Sequence, residues 1–316
     1  MTTDGFVLTR AVHLGACLLL FGILAFDRLV AVPALSGGQP AVAAFWGSWL
    51  RKSGVILLPT ILLSGLAWFA LVSATMSGLP VREVLQMETL KTVWSQTEFG
   101  TVWKWRLTFW LGAVAAFLLQ PKATSSWRDK FGWMEFLASG LLLGSLAWAG
   151  HGLEGPWWHL PADVLHLLVA GLWPAGLLPF AWLLRQLRRG SGLERWSSIA
   201  DLVRRFSALS LAAVTALAVT GFVNAWFLVG SVENLFGEVY GRWLLTKIIL
   251  FGITVVIGAI NLLRLKPRLL ADNLPPHNGE IAASRLQHNV QLELILSTGI
   301  IFVVAILGIL PPADIH

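Results

Sequence analysis

The sequence has little cysteine and little charge. Cys17 is the single cysteine in 316 residues, which excludes a disulfide within the chain and any metal site built from clustered cysteines. It lies in an apolar run and is predicted to be a small buried residue. Charged residues make up 13% of the chain, against about 25% in soluble domains. The sequence also shows no nucleophile–base pair and no phosphate-binding loop, so we do not expect an enzyme.

Apolar and aromatic residues take the place of the missing charge. Hydrophobic residues make up 56% of the chain, and the mean hydropathy is +0.71. There are 17 tryptophans, whose amphipathic rings favour the boundary between headgroups and hydrocarbon. The first apolar run has no basic stretch before it, so we expect it to remain as a helix and not to be removed as a signal peptide. The composition therefore predicts an integral membrane protein, with residues 1–316 as one transmembrane domain.

Eight segments have the roughly 20 mainly apolar residues that cross a bilayer as a helix. They are residues 7–27, 54–75, 102–120, 132–150, 162–184, 206–229, 242–263 and 290–310. The predicted fold class is an all-α integral membrane protein with eight transmembrane helices. The longest connection, residues 76–101, contains VREVLQMETLKTVW, which forms either a short helix on the membrane surface or a plain loop.

Lysine and arginine are sorted by loop, and this sorting predicts the orientation. The connections after helices 1, 3, 5 and 7 hold 16 of the 23 basic residues. By the positive-inside rule these connections face the cytoplasm, so both termini are expected on the outer side of the membrane. The pI near 10 then reflects topology and contact with anionic lipid, and gives no reason to expect nucleic acid.

The two halves of the chain resemble each other. SQTEFGTVWKWR before helix 3 matches FGEVYGRWLLTK before helix 7, and LLSGLAWFALV in helix 2 matches AVTGFVNAWFLV in helix 6. The matched pairs are His13 with His166, Gly65 with Gly221, Arg106 with Lys247, and Glu135 with Glu293. We therefore predict two parallel four-helix repeats, residues 1–150 and 151–316, related by a pseudo-twofold axis along the membrane normal.

Four of the seven histidines fall on the predicted outer face: His13, His151, His159 and His166. His13 and His166 lie roughly 7 to 10 Å inside the outer boundary, from the rise of 1.5 Å per residue. Neutral imidazole suits copper, zinc, iron and nickel, so the cluster predicts a metal or haem site. Asp163 either accepts the second ring N–H of His166 or is an ordinary residue of the first helical turn. The remaining three, His277, His288 and His316, are expected to be solvated.

Other polar residues in the predicted spans have simpler explanations. Met76 is expected to face lipid or the core. Arg106 and Lys247 are expected to snorkel outward. Glu135 and Glu293 are expected to pair with arginines near the inner surface, with an inner relay or cation exit as the alternative.

Several of these stretches together resemble the CopD (copper resistance protein D) family of bacterial inner-membrane proteins. The matching segments are QTEFGTVWKWR (96–106), AWAGHG (147–152), DVLHLLVAGLWPAGLLP (163–179), RFSALSLAAVTALAVTGFVNA (205–225), YGRWLLTK (240–247), NLLRLKPRL (261–269) and LGILPP (307–312). They extend over nearly the whole chain.

The resemblance implies a role in copper handling, with copper moved from the periplasm across the inner membrane. It also implies a small periplasmic copper-binding protein of the CopC type, here a separate partner because the chain carries no such domain. The family's histidines correspond to His13, His151 and His166, and we include His159 as a fourth candidate metal ligand.

Two other functions remain open at this stage. A b-type cytochrome would hold haem b between two histidines of different helices and carry electrons. A sensor or scaffold would bind no metal. The copper's oxidation state, Cu(I) or Cu(II), and the oligomeric state do not follow from the sequence.

Overall fold

The computed structural model describes residues 3–36, 39–86, 88–120, 125–149, 158–190, 194–271 and 276–311. Over these ranges the chain is helical and contains no strand. Eight helical segments are long and apolar enough to cross a membrane. They are α1 (Asp4–Leu35), α2 (Pro40–Ser77), α3 (Glu98–Leu119), α4 (Ser126–Trp148), α5 (His159–Arg189), α6 (Glu194–Val229), α7 (Val239–Leu269) and α8 (His277–Leu307). The protein is thus an all-α, multi-pass membrane protein, as predicted.

Several helices are longer than their predicted spans. Helix α2 begins at Pro40, α6 at Glu194 and α8 at His277, whereas their apolar spans were predicted to begin at 54, 206 and 290. Hydropathy identifies only the part of a helix that lies in hydrocarbon. The backbone hydrogen bonds of a helix continue through polar residues beyond the bilayer, so the predicted ends were wrong.

Three of the eight helices are interrupted near a proline. In α1 a π-helical turn, Asp27–Ala31, precedes Pro33, and in α7 another, Asn261–Leu265, precedes Pro267. Proline lacks a backbone N–H and its ring clashes with the carbonyl four residues earlier, and the wider turn relieves both problems. In α5 a turn at residues 173–176 contains Pro174 and divides His159–Leu172 from Leu177–Arg189. We had expected 162–184 to be continuous.

Short helices connect the spans at one end of the bundle. Within VREVLQMETLKTVW, residues Val81–Val84 and Glu88–Gln96 are helical, so a helix and not a plain loop is confirmed, in two pieces. Their position on the membrane surface stays a prediction. The helix Val232–Gly237 occupies the connection between α6 and α7. Just before these connections, α2 and α6 both end at a glycine with positive φ, Gly78 and Gly230. Only glycine adopts this left-handed conformation without a steric penalty.

The two helices that carry His13 and His166 are at the centre of the bundle. Helix α1 packs against α2, α4, α5 and α8, and α5 packs against α1, α4, α6 and α8. The most apolar stretches of α1 and α5 are 72% and 61% buried, compared with 22% for α6 and 11% for α7. The main contacts among the first four helices, α1 with α2 and α3 with α4, recur as α5 with α6 and α7 with α8.

Small residues let the two central helices approach closely. A Cβ atom placed on Gly22 of α1 would lie 2.6 Å from the carbonyl oxygen of Gly171 and 2.8 Å from Cβ of Ala175, both in α5. The backbones therefore meet where side chains would separate them. Toward the other end of α1, Phe180 of α5 and Phe206 of α6 stack on each other, and Phe26 of α1 packs edge-on against both.

Candidate functional site

His13 lies on α1 and is 2% exposed, and both of its ring nitrogens have hydrogen-bond partners. Its Nδ1 is 3.1 Å from Oγ of Ser64 in α2, and that hydroxyl donates to the carbonyl oxygen of Thr60 at 2.5 Å. Since the serine proton is used in that bond, Ser64 Oγ accepts a hydrogen bond from Nδ1–H of His13. The lone pair of this imidazole is therefore on Nε2.

Arg106 of α3 occupies the space in front of that lone pair. Its Nη2 lies 2.6 Å from Nε2 of His13, and its Nη1 donates to the carbonyl oxygen of Leu142 at 3.1 Å and to Ser145 Oγ at 2.8 Å. The arginine is 2% exposed and its guanidinium lies over the ring of Trp103. The expectation that Arg106 snorkels outward was wrong, because hydrogen-bond acceptors on α1 and α4 hold the guanidinium inside the bundle.

Cys17 is one helical turn from His13 on the same face of α1. Its Sγ lies 3.9 Å from Nε2 of His13, and the residue is 1% exposed, as expected for a small buried side chain. A soft sulfur and an imidazole nitrogen are thus side by side, and the guanidinium of Arg106 lies against both. Because the guanidinium is permanently charged and contacts Nε2 of His13, it blocks this nitrogen from a metal ion in the observed arrangement.

His166 of α5 repeats the arrangement of His13. Its Nδ1 lies 2.9 Å from Oγ1 of Thr220 in α6, and Thr220 donates to the carbonyl oxygen of Ala216 at 2.6 Å. The same reasoning places the proton of His166 on Nδ1 and the lone pair on Nε2. In the described part of the chain this Nε2 has no hydrogen-bond partner. Lys247 of α7, which the internal repeat matches with Arg106, lies within electrostatic range of His166.

A glycine follows each of the hydroxyl residues and makes room for the histidine. A Cβ on Gly65 would lie 3.0 Å from Cε1 of His13, and one on Gly221 would lie 3.4 Å from Cε1 of His166. The sequence match between Gly65 and Gly221 was noted above, but the hydroxyls that precede them were missed. The dipeptides SG and TG in LLSGLAWF and AVTGFVNAWF carried that signal.

One expectation was that Asp163 accepts the N–H of His166 and so orients its ring, and this was wrong. Its Oδ1 accepts a hydrogen bond from Nδ2 of Asn224 at 3.0 Å, and Thr220 takes the N–H of His166 instead. The carboxylate lies within electrostatic range of Lys247, His159 and Arg10. Asp163 is therefore hydrogen-bonded to α6 and interacts electrostatically with side chains of α7 and α1.

The other candidate ligands have different surroundings. His159, the first residue of α5, is 4% exposed and packs against the ring of Phe227 at a centroid distance of 4.9 Å, and its Nδ1 has no partner among the described residues. His151 lies outside the described residues. Met76 is 53% exposed and so lies outside the core; that it faces lipid stays a prediction.

The described residues do not bring His13, His159 and His166 together as ligands of one metal site. Over the described ranges no group of three or more His, Cys, Asp or Glu side chains is placed to hold a metal ion. His13 and His166 have separate hydrogen-bond partners on separate helices. A single site shared by all four histidines stays a prediction.

At the opposite end of the bundle, the two glutamates differ from expectation. Glu293 of α8 is 2% exposed and accepts a hydrogen bond from Nδ2 of Asn261 at 2.6 Å, and Asn289 donates to Asn261 Oδ1 at 2.7 Å. The expected pairing of Glu293 with an arginine was wrong, because the amide of Asn261 takes that place. Glu135 lines a cavity of about 290 Å³ with Arg51 and Arg128, but it forms no ion pair with a residue that the structure describes.

These features define a class of protein: an eight-helix membrane protein whose two central helices each carry an imidazole fixed by a neighbouring hydroxyl. Two sequence families match the chain. The N-terminal domain of copper resistance protein D-like proteins matches residues 1–159, and copper resistance protein D matches residues 200–307. The chain belongs to the copper resistance protein D family.

Three proteins are similar in sequence to this chain. Copper resistance protein D of Pseudomonas syringae pv. tomato is 33% identical over 282 residues, which are 83% of this chain and 87% of that protein. Inner membrane protein YebZ of Escherichia coli K12 is 28% identical over 69% of this chain and 70% of its own length. Copper transport protein CutJ of Bacillus subtilis is 35% identical over 127 residues, which are 39% of this chain and 23% of that protein. No solved structure matches the chain.

Proposed function

We propose that the protein captures copper at the end of the bundle that holds His13 and His166, here called the histidine end. The copper is then imported across the inner membrane or delivered within that membrane. The family and the names of its relatives, a copper resistance protein and a copper transport protein, support copper as the cargo. The name of the Escherichia coli relative supports the inner membrane as its location.

The observation that carries the proposal is the matched geometry of the two histidines. In each half an Ser or Thr hydroxyl fixes the N–H of the imidazole on Nδ1 and leaves the lone pair on Nε2. A hydrogen bond of this kind orients a metal-binding imidazole and raises its basicity. Copper binds well to imidazole nitrogen in both common oxidation states.

The two halves differ in how accessible the lone pair is. His166 faces no direct donor in the described part of the chain, whereas His13 is hydrogen-bonded to Arg106. We therefore assign the first copper contact to His166. His13 follows when Arg106 moves aside, and Cys17 then provides a soft ligand 3.9 Å from Nε2 of His13.

The distribution of charge supports an orientation. The end opposite the histidines, here called the basic end, holds Arg51, Arg128, Arg188, Arg264 and Arg285. By the positive-inside rule the basic end faces the cytoplasm and the histidine end faces the periplasm, with both termini periplasmic. A separate periplasmic copper-binding protein of the CopC type then delivers copper to the histidine end, where His159 begins α5, and the sequence makes His151 a further candidate acceptor.

The proposal is tested on the purified protein by metal analysis, an optical spectrum and uptake of labelled copper into proteoliposomes. We expect bound copper and uptake, both reduced at least about tenfold in His166→Ala by loss of one imidazole ligand. The matched control is His277→Ala, an exposed histidine of α8, which leaves both unchanged. A Soret band that disappears in His13→Ala would instead support a b-type cytochrome. Unchanged uptake in His166→Ala would support a scaffold that carries no copper.

A further inference from the structure

A cavity of about 570 Å³ opens at the basic end between α7 and α8. Its size falls within the roughly 300–1,000 Å³ typical of small-ligand sites. Its lining residues, between 260 and 289, are distant in sequence from His13 and His166. The side chains that define it are Ile260, Arg264, Arg268, Arg285, His288 and Asn289.

Helical spacing directs the arginines into this cavity. Arg264 and Arg268 are four residues apart in α7 and share one face. Their chain neighbours Leu265 and Leu269 are 4% exposed and pack into the core, so the arginines point away from the core. Arg285 faces them from α8.

Among the residues that the structure describes, no carboxylate lines this cavity. The lining contains three arginines and a histidine but no Asp or Glu. Elsewhere at the basic end arginines have acidic partners: Arg195 lies 2.8 Å from Glu280, and Arg205 lies 3.0 Å from Asp201. Within the described ranges Arg264, Arg268 and Arg285 form no ion pair. A guanidinium fork matches a phosphate with paired hydrogen bonds, so three of them in one cavity suit a phosphate-bearing ligand.

The apolar border of the cavity indicates where that phosphate comes from. Ile260 lines the side nearer the middle of the bilayer and is 39% exposed, and Leu263 beside it is 71% exposed. An acyl chain along these residues would place its headgroup at the level of the arginines. Basic pockets between transmembrane helices bind anionic lipid headgroups in this way.

We propose that the cavity formed by Arg264, Arg268 and Arg285 is a binding site for the headgroup phosphate of an anionic membrane lipid. The same chemistry would accept free inorganic phosphate. The two sources are separated by experiment, because only the lipid also uses the apolar border.

The test compares lipid binding by native mass spectrometry and by thermal stability in detergent. The full-length protein is titrated with phosphatidylglycerol or cardiolipin, and with phosphatidylcholine as the neutral reference. We expect wild type to retain the anionic lipids and to gain thermal stability from them. The triple variant Arg264→Gln, Arg268→Gln and Arg285→Gln should bind them at least tenfold more weakly, since each charged hydrogen bond contributes about that factor. The control triple Arg188→Gln, Arg204→Gln and Arg205→Gln removes equal charge from ion-paired positions and should bind like wild type.

Single variants test the proposal even if the triple variant does not fold. Arg285→Gln should weaken binding of anionic lipid, and Arg285→Lys, which keeps the charge but loses the fork, should recover part of it. Equal weakening in the cavity and control triples, or equal retention of phosphatidylcholine, would overturn the proposal. Stabilisation by inorganic phosphate that matches that by lipid and depends on the same arginines would overturn the lipid as the source.

Discussion

The guanidinium of Arg106 lies 2.6 Å from Nε2 of His13, in the position where that imidazole would bind a metal ion. Arg106 is also bonded to α4, through Leu142 and Ser145, so a shift of α3 or α4 relative to α1 changes the access to His13. Lys247, which the internal repeat matches with Arg106, lies within electrostatic range of His166 but makes no direct hydrogen bond with that ring among the described residues. The two histidines are therefore alike in geometry and unlike in availability.

Removing the charge of Arg106 should expose His13. In Arg106→Gln we expect Cu(I) to bind at least about tenfold more tightly at His13, because a permanent positive charge in contact with the site is lost. Competition titration with a Cu(I) chelator measures this. The double variant Arg106→Gln with His13→Ala should lose the gain. An affinity that is unchanged or lower in Arg106→Gln would contradict the masking role of the arginine.

Removing the hydroxyl partners should weaken copper binding without removing any ligand. In Ser64→Ala and Thr220→Val the Nδ1–H groups of His13 and His166 lose their acceptors, and loss of such partners typically lowers metal affinity about 10- to 100-fold. Thr215→Val is the matched control, because Thr215 also donates to the carbonyl four residues earlier but is exposed and distant from both rings. Copper affinities in Thr220→Val and Thr215→Val that agree would argue against the hydroxyl role.

The crossing of the two central helices should be sensitive to a single methyl group. Gly22→Ala places a Cβ 2.6 Å from the carbonyl oxygen of Gly171, and such overpacking typically costs about 1–3 kcal/mol. We expect a lower unfolding temperature in detergent and reduced copper uptake, since α1 and α5 carry the histidines. Gly252→Ala, where a Cβ has no neighbour within 4 Å, serves as the control and should be neutral or slightly stabilising. Equal stability of the two variants would contradict the close approach.

The buried Glu293 should depend on the amide of Asn261. In Asn261→Leu the carboxyl group loses its hydrogen-bond donor inside the bundle, at an expected cost of about 1–3 kcal/mol in stability. Glu293→Gln keeps an oxygen that accepts from Asn261 and should be milder. Thermal unfolding of both variants in detergent measures the difference. A larger loss in Glu293→Gln than in Asn261→Leu would show that the charge of Glu293, and not this bond, matters to the fold.

Hydropathy predicted all eight spans, because a bilayer requires about 20 apolar residues wherever a helix crosses it. It could not predict that α2 begins at Pro40, since helix continuation outside the bilayer leaves no hydropathy signal. The division of α5 at Pro174 was readable in WPAG but was passed over, because prolines are often tolerated within membrane helices.

The histidine pair was predictable from the sequence, but its surroundings were only partly so. The internal repeat matched His13 with His166, and the hydroxyls of Ser64 and Thr220 stood beside glycines that the repeat had already aligned. The inward position of Arg106 was not predictable, because a long cationic side chain two turns into a helix reaches the surface or the interior equally well. Hydrogen-bond acceptors on α1 and α4 hold the side chain in the interior, and these acceptors come close to Arg106 only when the chain is folded.

X-ray absorption spectroscopy of the copper-loaded protein tests the central claim most directly. The account predicts copper bound with imidazole in its first coordination sphere, an imidazole signal that is lost or reduced in His166→Ala, and an unchanged spectrum in His277→Ala. A protein that binds no copper, or copper whose imidazole signal is the same with and without His166, would contradict it.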